Sequence, residues 1–230
     1  MKVKTLDSKL IDLLEEKYGS LWWPTDMYPE SSLSDPFKHS IITILSQNTS
    51  EANCIRAYKG LAAKFEIKPE ALANAEEKEV RDSIRSGGLY NIKAKRIKEV
   101  SKAVLEKFNG DVGHILSLPK EEAKNKLMEL PGIGNKTADV LLTDSYSYRE
   151  VIPIDTHMDR IAKRLGLVKQ DAEYGETQKA LIDFTPKERR DRASGLLWLL
   201  AKHTCKASNP KCYECLLAHL CEYKRGKRGL

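Results

Sequence analysis

The sequence has no apolar run approaching the roughly 20 residues that cross a bilayer, and Met1-Lys2-Val3-Lys4 does not lead into the apolar segment of a signal peptide. No membrane-spanning segment is expected, and an intracellular location is the default. Nor does any segment alternate polar and apolar residues as a half-buried strand would, which leaves an all-α fold. Neither sign of charge dominates: 39 Lys and Arg stand against 33 Asp and Glu, for a net charge of +6. That excess accommodates a nucleic acid without requiring one. Cysteine is scarce over most of the chain, and four of the five fall within seventeen residues of the tail. What remains, 41% hydrophobic and 31% charged over 230 residues, suits a sizeable core in one domain or two small lobes.

Helical periodicity covers most of the chain. Leu10, Leu13, Leu14 and Tyr18 mark a first amphipathic helix. Trp22 and Trp23, set beside Pro24, are expected to pack a chain crossing rather than to stack on a base. Phe37 to Leu45 forms a second helix and ends in the polar turn Ser46-Gln47-Asn48-Thr49-Ser50-Glu51, where Ser50 or Thr49 can cap a helix carrying Ile55, Tyr58, Leu61 and Phe65. Gln47 reads first as a turn residue. Its amide could also enter a duplex from which a base has been extruded. Two short helices follow Pro69, then the turn Gly87-Gly88-Leu89-Tyr90-Asn91 and a helix to Phe108 with Ile97, Val100 and Val104 inward. That helix leaves Lys93, Lys95, Arg96 and Lys98 for solvent or for phosphate.

The chemistry gathers further on. Pro119 starts a helix that runs to Leu130, and Leu130-Pro131-Gly132-Ile133-Gly134-Asn135-Lys136 turns tightly into another with Ala138, Leu141 and Leu142 in register. Glycines at such a turn permit positive φ and let an anion approach backbone N–H groups. Lys136 alone is an exposed lysine beginning a helix. Asp155, in Ile154-Asp155-Thr156-His157, is by itself an N-cap for the helix through Met158, Ile161 and Leu165 that ends at Gly166. Helices over 174–184 and 187–203 follow. The tail reads Cys205-x6-Cys212-x2-Cys215-x5-Cys221, which favours a bound metal over disulfides in an intracellular protein. Spacing alone leaves zinc and an iron–sulfur cluster equally open. Lys206, Lys211, Lys224, Arg225, Lys227 and Arg228 surround the motif, and Cys54 is a small core residue.

In combination these motifs resemble the endonuclease III family of the helix-hairpin-helix DNA glycosylase superfamily. The resemblance rests on Leu130 to Thr137, on Asp155-Thr156-His157, on Gly88-Leu89-Tyr90-Asn91 followed by Lys93, and on the cysteine spacing, and it covers about Asp35 to Cys221. It implies a two-lobed all-α fold: residues 35–148 as a six-helix barrel with the hairpin, residues 1–34 joining the C-terminal lobe, and residues 149–230 holding a [4Fe-4S] cluster on Cys205, Cys212, Cys215 and Cys221. Double-stranded DNA with a damaged or abasic site would lie across the cleft between the lobes. Lys136 would be the nucleophile, its amine losing its proton to attack the sugar, and Asp155 would assist it or stabilise the charge that develops. Gln47 would fill the gap left by the flipped nucleotide, or Asn48 if the turn aligns without a gap. Leu89 would wedge the opposite strand, and Gly132, Gly134, Asn135 and Lys93 would meet the backbone. His157 would support at most. Asp139, three residues after Lys136, would lie near the site's face, where the bacterial members carry asparagine.

The implied activity is bifunctional base removal and strand cleavage, by default of oxidised pyrimidines, in a monomer of prokaryotic type. A monofunctional uracil or thymine mismatch glycosylase, or an adenine glycosylase, would carry tyrosine or serine where Lys136 stands, and the adenine enzyme has a further C-terminal domain where this chain ends nine residues after Cys221. A non-catalytic DNA-binding module would need no lysine–aspartate pair.

Overall fold

A computed structural model describes residues 4–21, 35–144 and 150–226, and every regular element among them is helical. Trp22 and Trp23, with Lys227 and Arg228, lie outside the described residues. The chain divides into two compact units, Met1–Trp23 with Arg149–Leu230, and Pro24–Tyr148.

The first segment forms α1 (Ser8–Tyr18), and in the central unit the helices are α2 (Pro36–Ser46), α3 (Glu51–Lys64), α4 (Pro69–Asn74), α5 (Glu77–Ser83), α6 (Tyr90–Phe108), α7 (Val112–Leu116), α8 (Lys120–Met128) and α9 (Asn135–Asp144). Each start has a local cause. Asp35 accepts from the N–H groups of Phe37 and Lys38 at 2.9 and 3.0 Å, with Pro36 in the first turn, and Ser50 accepts from Asn53 at 3.4 Å. The long helix α6 starts on Leu89 and ends on Asn109, both left-handed at φ 48° and 50°. It buries Ile97, Val100 and Val104 against α4, α5, α2 and α7. Cys54 is a core residue, as its helical position suggests, with its thiol 3.6 Å from the Ile42 carbonyl.

The other unit contains α1 (Ser8–Tyr18), α10 (Thr156–Leu165), α11 (Tyr174–Phe184), α12 (Arg190–His203) and the short α13 (Glu222–Gly226). Ile11, Leu14, Ile161, Leu165, Leu196 and Leu200 meet in its core. Helix α1 packs on α12, and Tyr18 joins its hydroxyl to Thr204 at 2.6 Å near the start of the cysteine loop.

Several boundaries depart from the sequence reading. Pro119 is the N-cap of α8 rather than its first residue, and α8 stops at Met128, so Leu130 belongs to the hairpin turn, bonding back to Leu127 at 3.1 Å. The segment 187–203 opens with a separate 3-10 turn, Lys187–Arg189, before α12. Helices α7 and α13 went unanticipated because five residues are too few to show a period.

Candidate functional site

Three loops of the central unit carry candidate residues, and two cations of α6 tie them together. The loops are the Gln47 turn after α2, the Gly88-Leu89 turn before α6, and the hairpin 131–134 between α8 and α9. Lys93 donates to the carbonyls of Leu45 and Gly87 at 2.7 and 2.8 Å, linking the first two. One helical turn on, Arg96 donates from Nη1 to Oε1 of Gln47 at 2.5 Å, and its side chain crosses Gly132, where an added Cβ would come within 2.2 Å of Arg96 Cδ. The first and third loops are thereby linked as well.

The expectation that Lys93 meets a DNA phosphate is overturned. Its side chain is 1% exposed, and burial pulls the ammonium below the ordinary lysine range. It sits under the surface because a long flexible cation there reaches both carbonyls at the loop ends. Lys98 is likewise turned inward, onto the carbonyls of Ala73 and Ala75 at the end of α4. Lys95 does face solvent, 3.8 Å from Glu99. Asp139 also departs from expectation: it is fully buried and paired with Lys124 at 2.9 Å, so it belongs to the α8–α9 packing and not to the exposed side of α9.

The remaining residues of this end are accessible. Lys136 is exposed in the first turn of α9. Asn135 is exposed beside it. Gly132 adopts φ 76°, a conformation that costs any L side chain, and its Cβ position is taken by Arg96. Gly134 has nothing within 4 Å of an added Cβ, so this is the hairpin glycine with open room for an anion. Leu89 is 50% exposed at the tip of its turn, and Ile92 beside it is 55% exposed. Asn48 is exposed and left-handed at φ 51°. Gln47 is half-buried because Arg96 holds it.

In the other unit Asp155 is the N-cap of α10. One carboxylate oxygen accepts from the N–H groups of His157 and Met158 at 2.8 and 2.9 Å, and the other accepts from the Trp198 indole at 2.9 Å. Three donors on one carboxylate fix its orientation. Trp198 also meets the His157 ring edge-on at 5.8 Å, and His157 Nδ1 lies 3.0 Å from Arg160. Arg160 in turn donates to the carbonyls of Ala201 and Cys205 at 2.9 Å each. Sequence reasoning missed Trp198 and Arg160. Arg160 and Arg164, four apart on α10, were the available signal for a helix face gripping another segment.

None of the four tail cysteines is joined in a disulfide. Arg164 holds the start of their loop through the carbonyls of Lys206 and Ala207 at 2.7 and 3.0 Å, and touches the Cys205 sulfur at 3.4 Å. Burial pushes the Cys215 thiol up to about 11, with Cys205, Cys221 and Cys212 each near enough to raise it further, while the Leu217 N–H opposes the shift. Burial likewise raises Cys221, against backbone N–H groups of Lys224 and Tyr223. Four sulfurs gathered in one loop, two of which, Cys215 and Cys221, already receive backbone N–H groups, are suited to a cationic group that would draw off their protons. Among the described residues, no three His, Cys, Asp or Glu side chains converge on a position for a single ion. No described helix is long and apolar enough to cross a membrane.

Residues 41–187 match the HhH-GPD superfamily of base excision DNA repair proteins. Endonuclease III of Thermotoga maritima is 36% identical over 196 residues, 85% of this chain and 86% of that protein. The chain belongs to the endonuclease III family. A second family member, endonuclease III of Bacillus subtilis, is 33% identical over 98% of both chains. Among solved structures, a trapped endonuclease III–DNA covalent intermediate is similar with a TM-score of 0.77 at 29% identity, covering 96% of each chain. Family membership agrees with the all-helical fold and with the hairpin between α8 and α9.

Proposed function

We propose that Lys136 is the nucleophile and Asp155 the supporting carboxylate of this chain. The chain is a DNA glycosylase and AP lyase of base excision repair, and DNA is its partner. The observation that carries the assignment is the placement of Lys136: an exposed amine in the first turn of α9, directly after a hairpin whose Gly134 leaves room for a backbone phosphate. Oxidised pyrimidines are the proposed lesions. The cell interior, where a bacterial chromosome lies, is the proposed location.

In this reading the damaged nucleotide leaves the stack, Leu89 entering the opposite strand and Gln47 the vacated space, with Asn48 at the tip of the same turn and Asn135 beside the phosphate. The Lys136 amine, once deprotonated, forms a bond to the anomeric carbon as the glycosidic bond breaks, and the base departs with that electron pair and takes up a proton. Positive charge grows on the sugar in this step, and Asp155, already fixed by three donors, stabilises it without reorganising. Ring opening gives a Schiff base on Lys136. Loss of a proton from the adjacent carbon then expels the 3′ phosphate, and water releases the lysine. Lys136 is exposed in the free protein, so bound DNA is what shields the reacting amine from water.

We further assign residues 35–148 as the six-helix barrel lobe and residues 1–34 with 149–230 as the lobe of a [4Fe-4S] cluster held by Cys205, Cys212, Cys215 and Cys221. Once bound, such a cluster cross-links four points of the tail and stiffens a basic surface for DNA.

The test is borohydride trapping on duplexes carrying thymine glycol, an abasic site or a G·T mismatch. A covalent adduct is expected with the wild type and none with Lys136→Ala. An adduct of equal yield with that variant refutes the nucleophile. Base release without any adduct assigns a monofunctional glycosylase, and neither leaves a DNA-binding module.

A further inference from the structure

We propose that Arg96 is a positioning residue that sets the Gln47 turn and the Gly132 hairpin in a fixed register, so that gap filling and phosphate gripping occur on one duplex together. The inference rests on the reading of Gln47 and the hairpin as DNA-facing elements. Its basis is one side chain reaching both. Arg96 Nη1 donates to Gln47 Oε1 at 2.5 Å, while the stem of the same side chain covers the α-carbon of Gly132, with Cδ, Nε and Cγ at 2.2, 2.4 and 2.7 Å from where a Cβ would stand. Gly132 is therefore required twice, for its φ of 76° and for the passage of Arg96.

The chemistry favours arginine here. A planar fork can hold an amide oxygen with one N–H and still lie flat across a glycine, whereas a lysine makes a point contact at the end of a mobile stem. The guanidinium of Arg96 is engaged by the neutral Gln47 amide. Gln47 left to itself would sample several rotamers, and that freedom would be lost whenever the side chain entered the duplex. Holding the amide in advance lowers that loss. Lys93, one turn earlier on α6, bonds the Leu45 and Gly87 carbonyls and fixes the bases of the two neighbouring turns, so Arg96 acts on a turn whose backbone is already set.

The test is a double-mutant cycle on single-turnover excision of thymine glycol from duplex DNA, using Arg96→Met, Gln47→Ala and both together. Methionine keeps an apolar stem over Gly132 and removes the fork. Arg96→Met is expected to slow excision roughly tenfold, the effect of one charge-assisted hydrogen bond. In the Gln47→Ala background it should have little further effect, and Arg96→Lys should fall between wild type and methionine. Binding of undamaged duplex should keep its salt dependence. If the two single effects multiply in the double variant, Arg96 does not act through Gln47 and the inference fails. A salt slope lowered by about one, with or without Gln47, would instead make Arg96 a phosphate contact. Should Arg96→Met lose cooperative unfolding, Arg96→Lys with Gln47→Ala runs the same cycle. A wild type that releases no base overturns the enzymatic reading, which is seen in that sample alone and is distinct from a multiplicative cycle in an active enzyme.

Discussion

Replacing Lys93 by methionine separates a buried strut from a DNA contact. The side chain is 1% exposed and serves two carbonyls, at 2.7 Å to Leu45 and 2.8 Å to Gly87. Methionine fills similar space but offers no donor, so each buried acceptor loses its partner at about 1–3 kcal/mol. Part of this is returned, because an ammonium no longer has to be held away from water. The net expectation is a loss of about 2–4 kcal/mol, which for a chain of this size lowers the unfolding midpoint by about 5–15 °C. The sign of the pH dependence adds a second signature. Burial puts Lys93 below its ordinary value of 10.5 in the folded state, so the unfolded chain binds more protons in the window that ends near 10.5, and stability rises with pH across it. Lys93→Met should lose that rise. Thermal unfolding across pH, with duplex binding across salt, is the assay. An unchanged midpoint together with a salt slope lowered by about one would refute the strut and return Lys93 to the phosphate.

Asp155→Asn should keep one oxygen for the His157 and Met158 N–H groups but turn an amide N–H₂ toward the Trp198 indole N–H, donor against donor. Single-turnover base release is expected to fall about 100-fold, and undiminished release would remove Asp155 from the mechanism. Trp198→Phe keeps an aromatic ring beside His157 and loses the indole donor together with part of the ring that Lys202 covers. It should cost about 1 kcal/mol in denaturant unfolding and slow excision less than Asp155→Asn; a full-rate variant would show that two backbone donors suffice. Asp139→Asn leaves Lys124 facing a neutral amide in a buried setting, and a loss of about 2 kcal/mol with an unchanged excision rate is expected. A changed lesion preference in that variant would bring Asp139 back to the site. Purified protein should be brown and contain iron and sulfide, and Cys215→Ser should lose both along with stability of the tail. A colourless protein with zinc would overturn the cluster.

The sequence by itself determined the helical class and nearly every long helix, because apolar residues at a 3.6 period, Asp and Ser caps and a C-terminal glycine act within a few residues of chain. It also determined the candidate list. A glycine hairpin, a lysine in the next turn, a capped aspartate and spaced cysteines are each local, and Lys136 could be singled out without coordinates. Only the tertiary structure decided which charged residues face water. Lys93 and Arg96 look alike on a helical wheel, yet one is buried under two turns and the other spans two loops, because the Leu45 carbonyl, the Gln47 amide and Gly132 that claim them come from segments over thirty residues away in sequence. Asp139 is paired inward by a lysine from the preceding helix, and Asp155 gains its third donor from Trp198, 43 residues on. A helical period records which residues share a face. What each polar group on that face must satisfy depends on the partner the fold brings to it.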